Sequence, residues 1–77
     1  MKKYKYRVYW DVTIDGVATN IELDGLYESE SADPDEVMIE IDADPDLIGD
    51  DFIGYPKDDE EHEVVWEGFP IVIPVED

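Results

Sequence analysis

Seventy-seven residues of 8.9 kDa make one domain, and a chain 43% apolar and 12% aromatic is too rich in core formers to be intrinsically disordered. Twenty-three Asp and Glu against five Lys and Arg give a formal net charge of -18, where small soluble domains usually carry about 2–8 of either sign. Such a surface repels nucleic acid and anionic membranes and steers the chain toward basic partners.

There is no cysteine, so nothing argues for an oxidising compartment, and a cytoplasmic setting is expected. The basic start Met1-Lys2-Lys3-Tyr4-Lys5 leads into alternating residues rather than an apolar stretch, so no signal peptide is expected. No apolar run approaches the ~20 residues of a membrane span.

Lys3 to Ile14 alternates with period two. Tyr4, Tyr6, Val8, Trp10, Val12 and Ile14 share one face, and Lys3, Lys5, Arg7, Tyr9, Asp11 and Thr13 the other, which predicts a long half-buried strand. Asp15-Gly16 is a preferred pair for a two-residue hairpin turn, whose central residues need positive φ. Val17 to Asp24 alternates again, with Val17, Thr19, Ile21 and Leu23 inward. The turn sets the register: Ile14 faces Val17, Trp10 faces Ile21, Val8 faces Leu23, Tyr9 faces Glu22 and Arg7 faces Asp24. Lys3, Lys5 and Arg7 then neutralise acid on the outer face of the sheet rather than bind nucleic acid.

Asp24-Gly25 marks a second turn, and Leu26 to Ser31 is semi-extended. Asp33-Pro34-Asp35-Glu36 fits a helix start, with Asp33 as N-cap and Glu36 completing a capping box, or a type I turn. The alternation of Val37 to Asp42 favours a strand, with Val37, Ile39 and Ile41 inward. A short helix is expected near residues 45–53, stopped by Gly54 and weakened by Gly49. His62 to Glu67 reads as a strand with Val64 and Trp66 inward, and Gly68 breaks or bulges it. Beyond Gly68, Phe69, Ile71, Ile73 and Val75 are read as inward, and Pro70, Val72 and Pro74 as outward. Two prolines four apart suit an edge strand. The sum is an α+β, mainly β, single domain over residues 1–77, an antiparallel sheet of four or five strands with a short helix. The predicted core is Tyr6, Val8, Trp10, Val12, Ile21, Leu23, Val37, Ile39, Ile41, Phe52, Val64, Trp66, Phe69, Ile71 and Ile73.

Chemistry at a catalytic centre is poorly provided for. His62 is the one histidine, and Ser29 and Ser31 lie among acids, so no nucleophile–base arrangement can be built and no enzyme is expected. Asp42-Ala43-Asp44-Pro45-Asp46 begins like a calcium loop but has Leu47 where Gly is needed and Ile53 where the bidentate Glu is needed, so neither metal nor cofactor is expected. What stands out is an acidic belt from Glu28 to Glu63, which holds 16 of the 23 acidic residues and a single basic one, Lys57. The candidate partner-binding residues are Glu28, Glu30, Asp35, Glu36, Glu40, Asp42, Asp44, Asp46, Asp50, Asp51, Asp58, Asp59, Glu60 and Glu61. Alternate strand residues lie about 6.6–6.8 Å apart, on the scale of phosphates along DNA, so series such as Glu40-Asp42, Glu22-Asp24 and Glu28-Glu30 could imitate a nucleic-acid backbone. Adaptation to high salt is the plainer account of the same charge.

In composition the whole chain resembles small phage-encoded DNA-mimic inhibitors, among them anti-CRISPR proteins and the uracil-DNA glycosylase inhibitor. Glu28-Ser29, Pro34, Glu36-Val37, Pro45 and Tyr55 follow an order and spacing similar to the glycosylase inhibitor's. That local resemblance implies Glu28 and Ser29 as contacts and a pocket lined by Val37 and Ile41 for an apolar side chain. The chain departs from that family by opening on a hairpin and by having Glu30-Ser31 after the Glu-Ser pair. The resemblance implies an inhibitor of the nucleic-acid-binding surface of a host defence protein, with a CRISPR effector as the leading target. The alternatives are an immunity protein or antitoxin covering a basic nuclease, an inhibitor of uracil-DNA glycosylase, and a halophilic structural domain.

Overall fold

The computed structural model describes residues 2–75. It contains β1 (Tyr4–Ile14), β2 (Val17–Leu23), β3 (Tyr27–Ser29), α1 (Pro34–Asp42), β4 (Phe52–Ile53) and β5 (Val64–Val75), with 3-10 turns at Gly49–Asp51 and Asp59–Glu61. All pairings are antiparallel. The fold is a mainly β domain with one sheet and one short helix.

The β1–β2 hairpin has the register that the Asp15-Gly16 turn dictates, from Ile14 opposite Val17 to Tyr9 opposite Glu22. Asp15 and Gly16 take the required positive φ, 51° and 82°. The ladder stops at Tyr9, so the expected Val8–Leu23 and Arg7–Asp24 pairs do not form. β3 takes over beside β1, pairing Tyr6 with Tyr27, and the backbone N–H of Asp24 donates instead to Asp51. β5 runs along the other side of β1 and has no second neighbour among the described residues. It is an edge strand, and Pro70 and Pro74 deny it donors.

Residues 34–42 form a helix, not the strand that their alternation favours. Asp33 Oδ1 accepts from the Asp35 backbone N–H at 3.0 Å and Pro34 occupies the first turn, so the helix-start reading is the one realised. Val37 and Ile41, four apart, form the buried stripe, and Ile39 is turned to solvent at 61% exposure. Period two and period 3.6 agree on Val37 and Ile41 and part only at Ile39. The helix expected near residues 45–53 shrinks to the turn Gly49–Asp51 followed by β4. Side-chain oxygens capture the donors that a helix would need: Asp44 accepts from Asp46 N–H and Asp51 from Ile48 N–H. The Tyr55 ring also sits so close to Gly49 that any Cβ there would meet it at 2.3 Å.

The second correction concerns the end of the chain. Tyr9 pairs with Ile71 and Asp11 with Glu67, so residues 68–70 lie opposite Trp10 alone. The sequence reading assumes that Gly68 reverses the in–out phase. A bulge with two extra residues, Gly68 at φ 62°, preserves it instead. Pro70 is therefore buried and Val72 half-buried on the helix side. Phe69, Ile71 and Ile73, predicted as core, face outward at 61%, 46% and 45% exposure.

The core under α1 is Tyr6, Val8, Val12, Ile21, Leu23, Val37, Ile41 and Phe52, with Trp10 and Val64 half-buried against it. Burying a side chain such as Val8 or Ile21 contributes about 1.5–3 kcal/mol. Val17, predicted inward, is exposed at the hairpin tip, and Trp66 lies on the core face but remains open to solvent.

Candidate functional site

The helix divides the belt. Asp35 and Asp42 fall on one flank of α1, Glu36 and Glu40 on the other, and Ile39 on the crest between them. Glu40 and Asp42 are thus not a same-face pair at strand spacing, and that part of the phosphate-spacing argument does not survive. Glu36 and Glu40 accept from the Ser31 and Ser29 hydroxyls at 2.7 and 2.9 Å, which ties this flank to β3. Ser29 is itself buried and Val37 is wholly buried, so these two residues marked by the glycosylase-inhibitor resemblance serve the interior. Ile41 is also core, although it lines the cleft described below.

Glu28 stands opposite Lys5 on the outer sheet face, away from the helix, and Glu30 follows the end of β3. Glu22 and Asp24 are not a phosphate-like series either: Glu22 approaches Arg7 at 3.6 Å, and Asp24 lies beyond β2. The remaining candidates lie between α1 and β5. Asp46, Asp50, Asp51, Asp58, Asp59, Glu60 and Glu61 are exposed there, and Asp44 is half-buried. Most of the candidate residues thus lie on α1 or in the segment between α1 and β5. The outer sheet face carries Lys5 and Arg7 together with Glu28, Asp11 and Glu67, beside the apolar row of Val65, Phe69, Ile71 and Ile73.

His62 is a structural clamp. Its Nδ1 meets Asp15 Oδ2 at 2.5 Å and its Nε2 meets Asp58 Oδ1 at 3.4 Å. The Glu63 backbone N–H donates to Asp15 Oδ1, and the Asp15 N–H donates to the Glu63 carbonyl, so the hairpin turn is locked to the start of β5. The bond to Asp15 holds the imidazole above its ordinary value, with desolvation opposing, and the same bond holds the Asp15 carboxyl below its own. Among the described residues, no three His, Asp or Glu side chains converge as a metal site. No helix among them is long and apolar enough to cross a membrane.

An aromatic cluster was not foreseen as a site. Trp10 from β1, Phe52 from β4 and Trp66 from β5 meet edge to face, with centroids 4.9–6.5 Å apart and ring planes 74–78° apart. Tyr55 stacks on Trp66 at 5.6 Å and 28°, and its hydroxyl donates to Asp59. Beside these rings opens a cleft of about 260 Å³ lined by Trp10, Phe52, Trp66, Ile41, Leu47, Asp42 and Asp44. Strand parity placed both tryptophans on the inner face. Their convergence with Phe52 needed the β1–β5 register, which no local pattern announces. Comparison with family models, with curated proteins and with solved structures finds no match for this chain.

Proposed function

We propose that this protein is a non-enzymatic inhibitor that occupies the nucleic-acid-binding groove of a basic protein by presenting carboxylates in place of phosphates. A CRISPR effector of a host cell is the leading target class. The observation that carries the reading is linear charge density on a narrow body. The chain measures 42 × 21 × 19 Å. Residues 2–75 hold 21 acidic and five basic side chains, a net -16, or about one charge per 2.6 Å of length, against about 1.7 Å in duplex DNA. A groove that binds phosphates through Lys and Arg would meet about two-thirds of the linear charge density of duplex DNA. The mimicry is one of overall charge density, since the helix removes regular strand spacing from Glu40 and Asp42.

A second reading, an immunity protein covering a basic nuclease, draws support from the exposed row Phe69, Ile71 and Ile73. Stable protein partners join apolar cores as well as opposite charges. The two readings differ in what is blocked, guide-directed DNA binding or nuclease turnover.

The test is displacement of labelled DNA from a guide-loaded CRISPR effector. Displacement is expected at low salt, with at least about a tenfold loss of potency when salt is raised fourfold. Reversing the exposed carboxylates Asp46, Asp50, Glu60 and Glu61 to Lys is expected to abolish it without altering the circular dichroism spectrum. Displacement that ignores both salt and charge reversal would overturn the proposal. Failure on effectors accompanied by inhibition of a nuclease would favour the second reading.

A further inference from the structure

We propose that the cleft beside Trp10, Phe52 and Trp66 is a receptor for one arginine side chain of a protein partner. Three observations converge on a cation. Aromatic rings from three separate strands form its wall, and ring faces attract guanidinium groups within about 6 Å of their centroids. Two carboxylates, Asp42 and Asp44, stand at the same cleft. The third observation is independent of both. α1 ends at Asp42 with no basic residue in its last turn, so the negative end of the helix dipole is left beside two acids. That arrangement is unfavourable for the free protein, and a bound cation would relieve it.

The size and chemistry favour arginine. About 260 Å³ is below the roughly 300–1,000 Å³ of small-molecule sites and suits a single side chain. A guanidinium stacks on indole through its plane and offers a rigid fork of donors to carboxylates, whereas an ammonium does neither as well. Trp66 is 36% exposed on the helix side of the sheet, so the wall is reachable from solvent. That the arginine belongs to a nucleic-acid-binding protein rests on the function proposed above; the affinity for a guanidinium does not.

The experiment uses the whole chain at a fixed 150 mM salt, chosen as roughly physiological ionic strength. Tryptophan fluorescence is titrated with Gly-Arg-Gly, with Gly-Lys-Gly and with the uncharged citrulline peptide. The arginine peptide is expected to bind at least tenfold more tightly than the citrulline peptide and more tightly than the lysine peptide. Asp42→Asn and Asp44→Asn are each expected to weaken it at least threefold with the thermal midpoint undiminished, and Trp66→Leu to abolish it. Glu60→Gln with Glu61→Gln, exposed acids outside the cleft lining, is expected to leave it unchanged. Equal binding of arginine and citrulline peptides, lysine matching arginine, or an equal loss in the Glu60/Glu61 variant would each overturn the assignment. Arginine binding that persists while DNA displacement fails would sink the inhibitor reading and leave this site standing; the reverse outcome would do the opposite.

Discussion

The contact between His62 and Asp15 joins residues 47 apart in the chain, and it shifts the titration of both groups. The imidazole is raised from 6.5, so the stability it contributes is complete below about pH 6.5 and is lost as pH climbs through the folded value. The carboxyl is lowered from 3.8, so its contribution is complete above about pH 3.8 and is lost as pH falls through the folded value. The pair therefore acts most strongly between these limits. Comparing melting temperatures of the native chain and His62→Gln across pH should show the widest gap between about pH 4 and 6.5, closing above the folded histidine value. A gap that stays constant up to pH 9 would show that His62 contributes by packing alone. At the same scale, the buried Trp10 Nε1–H has no hydrogen-bond partner among the described residues, a cost of about 1–3 kcal/mol that the aromatic packing around it must exceed.

Among the elements, α1 shows how local signals compete. The stretch Val37 to Asp42 is β-branched and alternating, yet a nine-residue helix forms because its start is so well made. Asp33 caps it, Asp35 and Glu36 complement the positive end of the dipole, and the Ser31 hydroxyl donates to Glu36. Asp33→Ala should destabilise the protein by about 0.5–2 kcal/mol in a denaturant titration. No change in the midpoint would show that packing of Val37 and Ile41 holds the helix without its cap. β5 teaches a different point. A glycine in a strand announces an irregularity but not how many residues it inserts. One extra residue reverses every side chain beyond it and two reverse none, so a single count decides which way Phe69, Ile71 and Ile73 face.

At the scale of the molecule, the dominant fact is charge. Self-repulsion among exposed carboxylates opposes the compact state and is screened by salt, with a Debye length of about 10 Å at 0.1 M. The thermal midpoint of the free protein should therefore rise between 20 mM and 500 mM sodium chloride, while affinity for a basic partner falls over the same range. Salt-independent melting would mean that the carboxylates are far enough apart not to interact. Salt adaptation predicts the first effect only, so the pair of measurements separates it from inhibition. Along the chain the acids are concentrated on α1 and residues 44–63, while Lys5 and Arg7 on the outer sheet face stand beside Glu28 and Glu22.

The chain by itself determined the hairpin, its register, the inward parity of β1 and the edge character of β5, because each depends on period two and on a turn whose φ values few residues tolerate. It also determined the acidic belt, since charge is additive along a sequence. The helix over residues 34–42 is one of the two local readings, carried by the Asp33 cap and Pro34. Only the tertiary structure decided that two extra residues lie at Gly68 and that Trp10, Phe52 and Trp66 meet beside Asp42 and Asp44. Those outcomes turn on contacts between elements distant in the chain, and neighbouring residues carry no record of what they will be packed against.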